Sequence, residues 1–372
     1  MGIEWKTGTV KSIIAVRAKL QEIVLEMADG SSCRAYHDLS AFPPLMPGHQ
    51  VLANTTAVTL GLGTGGAHFV LAPLAPELST GGALPPGHIM KLRYTALQRA
   101  VLAVEEAESG AQEKLAGNNT LERMPVLIGE LHSMLPAAVS WLRYQACGER
   151  PLRIAYVMTD GAALPIAISQ HVERLNELRW LAGTITYGHA YGGDHEAVNK
   201  YTALLAAKHV LQADIAIVTM GPGIVGTGTA YGYTGIETGE LVNAVAALEG
   251  IPIFMSRVSF GDRRERHRGL SHHSITALKT AAVARAVVPL PILSSPAQSG
   301  IVDSQTATSR LMDKHEIVWR EAPALDRMET AMQAYGVSIT SMGRGLRDDP
   351  PFFASVCAAA DEALGKLFAA DR

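Results

Sequence analysis

The apolar positions of this chain follow two patterns that meet near residue 85. Before that point, short runs rich in β-branched residues alternate with turn chemistry. They are TGTVKSIIAV at 7–16, LQEIVLEMADGSSCRAYHD at 20–38 and HQVLANTTAV at 49–58. Asp29-Gly30 is a hairpin signal inside the second run, and PPLMPGHQV is a proline and glycine break before the third. Strands at this spacing predict a small β-barrel over residues 1–84. The glycine-rich NTTAVTLGLGTGGAHFV reads as a plain hairpin of that barrel, with a barrel edge turned towards the next domain as the alternative. APLAPELSTGGALPPG, 72–87, has the composition of a connection and predicts the boundary.

After residue 85 the period changes. MPVLIGELH, LRIAYVMTD, GTITYGHA, ADIAIVTMGPG, IPIFMSRVSF and GVSITSMG each read as a short buried strand. Between most of them lie helical patterns: LPAAVSWLRYQA, PIAISQHVERLNELRWL, HEAVNKYTALLAAKHVLQ, GELVNAVAALEG and ALDRMETAMQAY, with PPFFASVCAAADEALGKLFAA as a closing helix. Such alternation means parallel strands joined by crossover helices. The expected fold of 85–372 is therefore α/β, a doubly wound, mostly parallel, Rossmann-like sheet.

Composition narrows the class. Apolar residues make up 48% and charged ones 18% of 372, enough for two or three packed domains. A net charge of -3 gives no general attraction to nucleic acid or anionic membrane, and neither is expected as a partner. No apolar run approaches the ~18 to 20 residues of a membrane span, and MGIEWKTGTV lacks the pattern of a signal peptide. Cys33, Cys147 and Cys357 are scattered without C-x-x-C spacing, so a reducing, cytoplasmic setting is expected.

In an open parallel sheet, ligands bind beyond the carboxyl ends of the strands. Here those ends are crowded with polar chemistry, while the opposite loops are short and bland. They supply His132, then Asp160, then His189 with Asp194 and His195 as candidates for proton transfer. The stretch TMGPGIVGTGTAYGYTG supplies Gly221, Gly223, Gly226 and Gly228, and the next strand supplies Arg257, Arg264, His267 and His272 as candidates for ligand binding. Gly221, Gly223 and Gly226 match G-x-G-x-x-G, but no helix opens at once and no acid ends the next strand, so a dinucleotide is not expected. Glycines that let backbone N–H groups approach a carboxylate or phosphate are one reading of this loop. A tightly packed irregular turn, or a contact in a homo-oligomer, is the other. Thr234 and Glu237 have the spacing of a capping box for the following helix, and Ser271 that of an N-cap.

The arginines of GDRRERHRGLSHHS suit a small anion, or else form a solvated loop with Asp262 and Glu265. A metal held by His and carboxylate is conceivable. However, no H-x-H or H-E-x-x-H spacing occurs, and His272 and His273, as neighbours on a helix, are expected to face apart. No cofactor is singled out. No G-x-S-x-G elbow occurs, and no cysteine falls at a strand end, so a covalent nucleophile finds no support.

NTTAVTLGLGTGGAHFV, GHIMKLRYT, GPGIVGTGTAYGYTG and RHRGLSHH together resemble the bacterial domain-of-unknown-function family 3866, over nearly the whole chain. That resemblance implies no activity and no catalytic residues. The residues themselves point to an enzyme on a small anionic metabolite, with a non-catalytic binding or sensing module, or a protein that docks partners through its barrel, as alternatives.

Overall fold

The computed structural model describes residues 2–17, 19–63, 65–74, 86–147 and 151–370. The chain forms two compact units, one of Met1–Pro86 and Leu92–Ala100, the other of Gly87–Lys91 and Val101–Arg372. Most of the expected boundary segment, 75–85, lies outside the described residues. The division is not the single cut expected at 84/85, because Leu92–Ala100 returns to the first unit. Arg99 holds it there, donating from Nη1 to Asp38 Oδ2 at 3.0 Å and to Ser40 Oγ at 2.5 Å.

The first unit is a closed barrel of β1 (Trp5–Arg17), β2 (Leu20–Met27), β3 (Ser32–Asp38), β4 (Gln50–Asn54) and β5 (Ala67–Pro73), in the order β1-β2-β3-β5-β4. Two register shifts bend β1 so that one strand pairs with both β2 and β4. Val10, Ile23, Leu25, Ala35, Leu45, Val51 and Ala53 fill the interior. Asp29-Gly30 makes the expected turn, with Gly30 at φ 80 and Ser31 N–H donated to Asp29 Oδ1 at 2.9 Å. The link from β4 to β5 is not a plain hairpin: Asn54 Oδ1 accepts from Thr56 N–H at 3.1 Å and starts a one-turn helix, Thr56–Thr59.

The second unit is a doubly wound α/β domain. Its eight strands are β6 (Pro125–Gly129), β7 (Ile154–Met158), β8 (Gly183–Tyr187), β9 (His195–Ala197), β10 (Ile215–Thr219), β11 (Ile251–Met255), β12 (Val287–Ile292) and β13 (Glu316–Glu321). They pair in the order β9-β8-β7-β10-β6-β11-β12-β13, all parallel. Side chains alternate between two cores as a pleated strand requires. Leu127, Tyr156 and Ile217 enter one; Val126, Ile128, Val157 and Val218 enter the other. The first core is covered by α1 (Met134–Gln145), α2 (Gln170–Glu177), α7 (Leu325–Gln333) and α8 (Pro350–Ala370). The second is covered by α3 (Lys200–Leu205), α4 (Glu237–Ala247), α5 (His272–Thr276) and α6 (Pro296–Ser309). Neighbouring strands β6 and β10 thus send their chains to opposite faces, which opens a crevice at their carboxyl ends.

Three readings of the elements need correction. GVSITSMG is irregular rather than a strand. The strand period is instead supplied by β12 and β13. Pro289 and Pro291 disguise β12, yet its pairing with β11 stops at Val287, while β13 pairs along all six residues. The two missing N–H groups therefore fall where no ladder bond is made. Finally, His195–Ala197 is edge strand, not the start of a helix; α3 begins after Asn199, whose Oδ1 accepts from Tyr201 and Thr202 N–H.

Candidate functional site

Five expected residues, His132, Asp160, His189, Gly221 and Arg257, follow the carboxyl ends of β6, β7, β8, β10 and β11 and so share one edge of the parallel sheet. Asp194 and His195 do not. The chain turns back after β8, and His195 lies level with Ile185 in mid-strand. Asp194 Oδ2 is spent on Thr184 N–H and Oγ1, each at 2.9 Å. Asp160 also serves the backbone: its Oδ1 accepts from His189 N–H at 2.7 Å and Ala190 N–H at 3.0 Å.

His132 is a bridge. Its Nδ1 lies 3.1 Å from Met220 O, which can only accept, so Nδ1 carries the proton. Nε2 then accepts from Ser169 Oγ at 2.5 Å. Ser169 in turn caps α2 by accepting Val172 N–H. Burial, followed by nearby His171, pushes the His132 imidazole down to about 4. Both ring nitrogens are thus used inside the protein.

The chemistry concentrates instead around Glu130, the residue directly behind β6. Glu130, Arg257, His267 and His273 are all nearly sealed, at 2%, 3%, 0% and 4% exposure. Arg257 reaches Asp262 Oδ2 with Nη2 at 2.9 Å and Glu130 Oε1 with Nη1 at 3.7 Å. Asp262 also receives the Arg264 guanidinium through two bonds of 3.0 and 2.9 Å, which hold its carboxyl well below the usual range. Arg257 and Arg264, expected to grip a ligand, are therefore already engaged by a carboxylate. Burial pushes the Glu130 carboxyl up, and Arg257 opposes this.

Above Glu130 lies a group of three imidazoles. Ring centroids of His267, His272 and His273 are 4.3 to 4.9 Å apart. The expectation that His272 and His273 face apart fails because α5 begins there. Helical side chains tilt towards the N-terminus, and in the first turn no earlier turn separates them. Ser271 is the N-cap, accepting His273 N–H at 3.2 Å, and its Oγ also meets His267 Nδ1 at 2.8 Å. Tyr233 stacks flat on His273 at 3.8 Å and donates its hydroxyl to His273 O. His273 Nδ1 is 3.9 Å from Glu130 Oε2. Burial and the nearby cations push His267 and His273 down to about 3, so both rings are neutral at ordinary pH.

Several atoms here are buried without a hydrogen-bond partner: Nε2 of His267, His272 and His273, Nδ1 of His273, and Oε1 of Glu130. An orphaned buried polar atom costs about 1–3 kcal/mol, and several in one spot call for an occupant or a function.

The glycine loop now has a physical reason. It folds into its own hairpin, in which Val225, Thr227, Gly232 and Thr234 donate their N–H groups internally. Thr234 is committed to Val225 and Glu237 to Thr159, so no capping box forms. A Cβ on Gly226 would sit 3.3 Å from the His273 ring, one on Gly235 3.1 Å from Glu130, and one on Gly228 3.9 Å from Arg266. Gly221 packs against Met158 and Leu164, and Gly223 takes φ 106. The glycines bring the loop down onto the histidines and Glu130.

Glu130 was missed in the sequence as a site residue, and of the His272 and His273 pair only one was expected to reach the cleft. The available signal was an acid immediately behind a buried central strand, where its neighbours place small or neutral residues.

A barrel followed by an all-parallel, doubly wound sheet, with a buried His/Glu/Arg cluster at its carboxyl edge, defines the class as Rossmann-like α/β. The chain belongs to the family described as protein of unknown function (DUF3866), whose model matches residues 34–360. No curated protein matches it. Among the described residues no helix is long and apolar enough to cross a membrane.

Proposed function

We propose that this protein is an enzyme acting on a small carboxylated or phosphorylated metabolite at the crevice between β6, β10 and β11. The observation that carries this reading is the set of sealed, unpartnered polar atoms on Glu130, His267 and His273 under a glycine loop. Holding such groups unsatisfied is costly to the fold and is common where a site is prepared for a ligand. Exposed Arg266 stands beside Gly228 at the mouth and supplies the charge for the anion. Glu130, one bond length or so beyond hydrogen-bonding reach of His273, is the proton carrier, in place of the expected pairing of histidine with Asp160 or Asp194.

The test is to incubate the protein with a mixture of phosphorylated and carboxylated metabolites and follow each by mass spectrometry. Wild type should deplete one anionic member. Glu130→Gln should retain the fold and binding but lose turnover by ~10²-fold or more, the usual range for a general acid or base. Arg266→Ala should weaken binding without changing stability. A ligand bound tightly and returned unchanged would favour a sensing module instead, and no anion bound at all would remove both readings.

A further inference from the structure

We propose that His267, His272 and His273 form a binding site for one divalent first-row transition-metal ion of the zinc type. The site is shared with the reading above, but the imidazoles alone define it. One ligand-capable nitrogen from each ring lies within 4.8 Å of the others. A tetrahedral site with metal–nitrogen bonds of about 2.0–2.1 Å needs separations of about 3.4 Å, so small ring rotations close the gap.

Three features select a metal over a structural histidine cluster. First, His132 and His315 have both ring nitrogens satisfied, and the unpartnered Nδ1 atoms of His37 and His68 belong to no group of three ligating side chains among the described residues. The Nε2 atoms of His267, His272 and His273 are buried and have no partner. Second, Ser271 Oγ lies 2.8 Å from His267 Nδ1 and can accept its proton. With Nδ1–H donated to that oxygen, Nε2 keeps its lone pair towards the cluster, the arrangement found around metal-ligating histidines. Third, Tyr233 stacks on His273 at 3.8 Å and donates its hydroxyl to His273 O, which holds that ring in place beside the other two.

Charge is the objection to meet, since Arg257 lies close by. It is paired with Asp262 and Glu130, Arg264 with Asp262, and Arg344 with Asp262 and Asp349, so three carboxylates offset three guanidiniums, and exposed Arg266 adds a further positive charge. An arriving dication then leaves the site net positive, and its open coordination positions suit a carboxylate or phosphate oxygen.

The experiment uses the full chain, stripped with a chelator and dialysed, then titrated with ZnCl₂ by calorimetry and with CoCl₂ by visible absorption. Wild type should take up one ion per chain, with a cobalt spectrum showing nitrogen ligation. His272→Ala removes the least buried of the three rings and should weaken the ion at least ~100-fold, more than loss of an outer-shell partner. His267→Gln, with folding checked by circular dichroism, should do the same, whereas His88→Ala at an exposed site should bind as wild type does. Stripped wild type that binds neither ion at one per chain would overturn the proposal. So would unchanged affinity in His272→Ala together with His267→Gln. Because the readout is the ion and not turnover, an ion bound by a protein that depletes no metabolite would sustain this inference while removing the enzyme reading.

Discussion

Acidification should cost this protein stability through His132, and the size of the effect follows from its surroundings. The ring is clamped between Met220 O, Ser169 Oγ and the Tyr156 hydroxyl, with His171 at 6.0 Å. Protonating it would place a second N–H against Ser169 and a charge beside His171. Burial first, and then the neighbouring His171, lower its value from 6.5 to about 4 in the folded protein. A depressed imidazole contributes stability above the unfolded value and loses it as pH falls towards the folded one, because the unfolded chain binds the proton first. Between about pH 7.5 and about pH 5 the linkage amounts to ~2 kcal/mol, with ~3 kcal/mol as the limit below pH 4 at 1.36 kcal/mol per unit. Other buried histidines add to the raw acid sensitivity, so the measurement must be a difference. Urea unfolding of wild type and His132→Gln, followed by tryptophan fluorescence at both pH values, isolates the residue. The variant should be the less stable at pH 7.5, and its deficit should shrink by ~2 kcal/mol at pH 5. Parallel pH dependences for the two proteins would show that His132 is not held neutral and that the clamp is misread.

Two further outcomes test the packing around the site. Lys91 is sealed at 1% exposure and donates to Thr186 O, Ala190 O and Glu196 Oε2 at 3.2, 2.6 and 2.7 Å. Lys91→Met should cost ~3 kcal/mol or more in urea unfolding, since it strands a carboxylate and two carbonyls, and Glu196→Gln in that background should recover part of the loss; a cost below ~1 kcal/mol would contradict the buried pair. Gly239→Ala gains helix propensity of about 1 kcal/mol, yet its Cβ would lie 2.5 to 2.7 Å from Ala281 Cβ, Ala277 O and Ala282 N. A net fall in melting temperature is expected, and a rise would mean that α4 and the turn 277–282 behind α5 can move apart without penalty.

Much of the fold is legible in the sequence because period alone carries it. Five of the eight strands, β6, β7, β8, β10 and β11, are short runs buried on both faces, and each is bounded by helical patterns. The misreadings occur where local signals compete with pairing. Pro289 and Pro291 argue against a strand that survives because its ladder with β11 ends at Val287. His195–Ala197 continues an amphipathic pattern into α3, and only a neighbour at β8 makes it a strand. GVSITSMG has strand composition but makes only the isolated bridge of Ser341 with Arg344.

The site is less legible, because its parts are defined by direction and not by type. The sequence puts polar residues at the carboxyl edge of the sheet, yet gives no means of ranking them. His132 and Asp160 look reactive until their hydrogen-bond partners are known, and those partners are backbone and Ser169, which no spacing reveals. The opposite error concerns His272 and His273. Adjacency on a helix separates side chains by about 100° in a helix interior, and the argument against joint action assumes that interior geometry. Ser271 places the helix start at His272, and the 3₁₀ turn at Glu265–His267 brings a third ring to the same end. Read this way, S-H-H after an arginine and histidine turn is a pattern in which the N-cap serine both starts the helix and orients His267. The same serine therefore decides fold and site together. Substituting it by alanine should loosen α5 and, in the same protein, weaken whatever the three imidazoles hold.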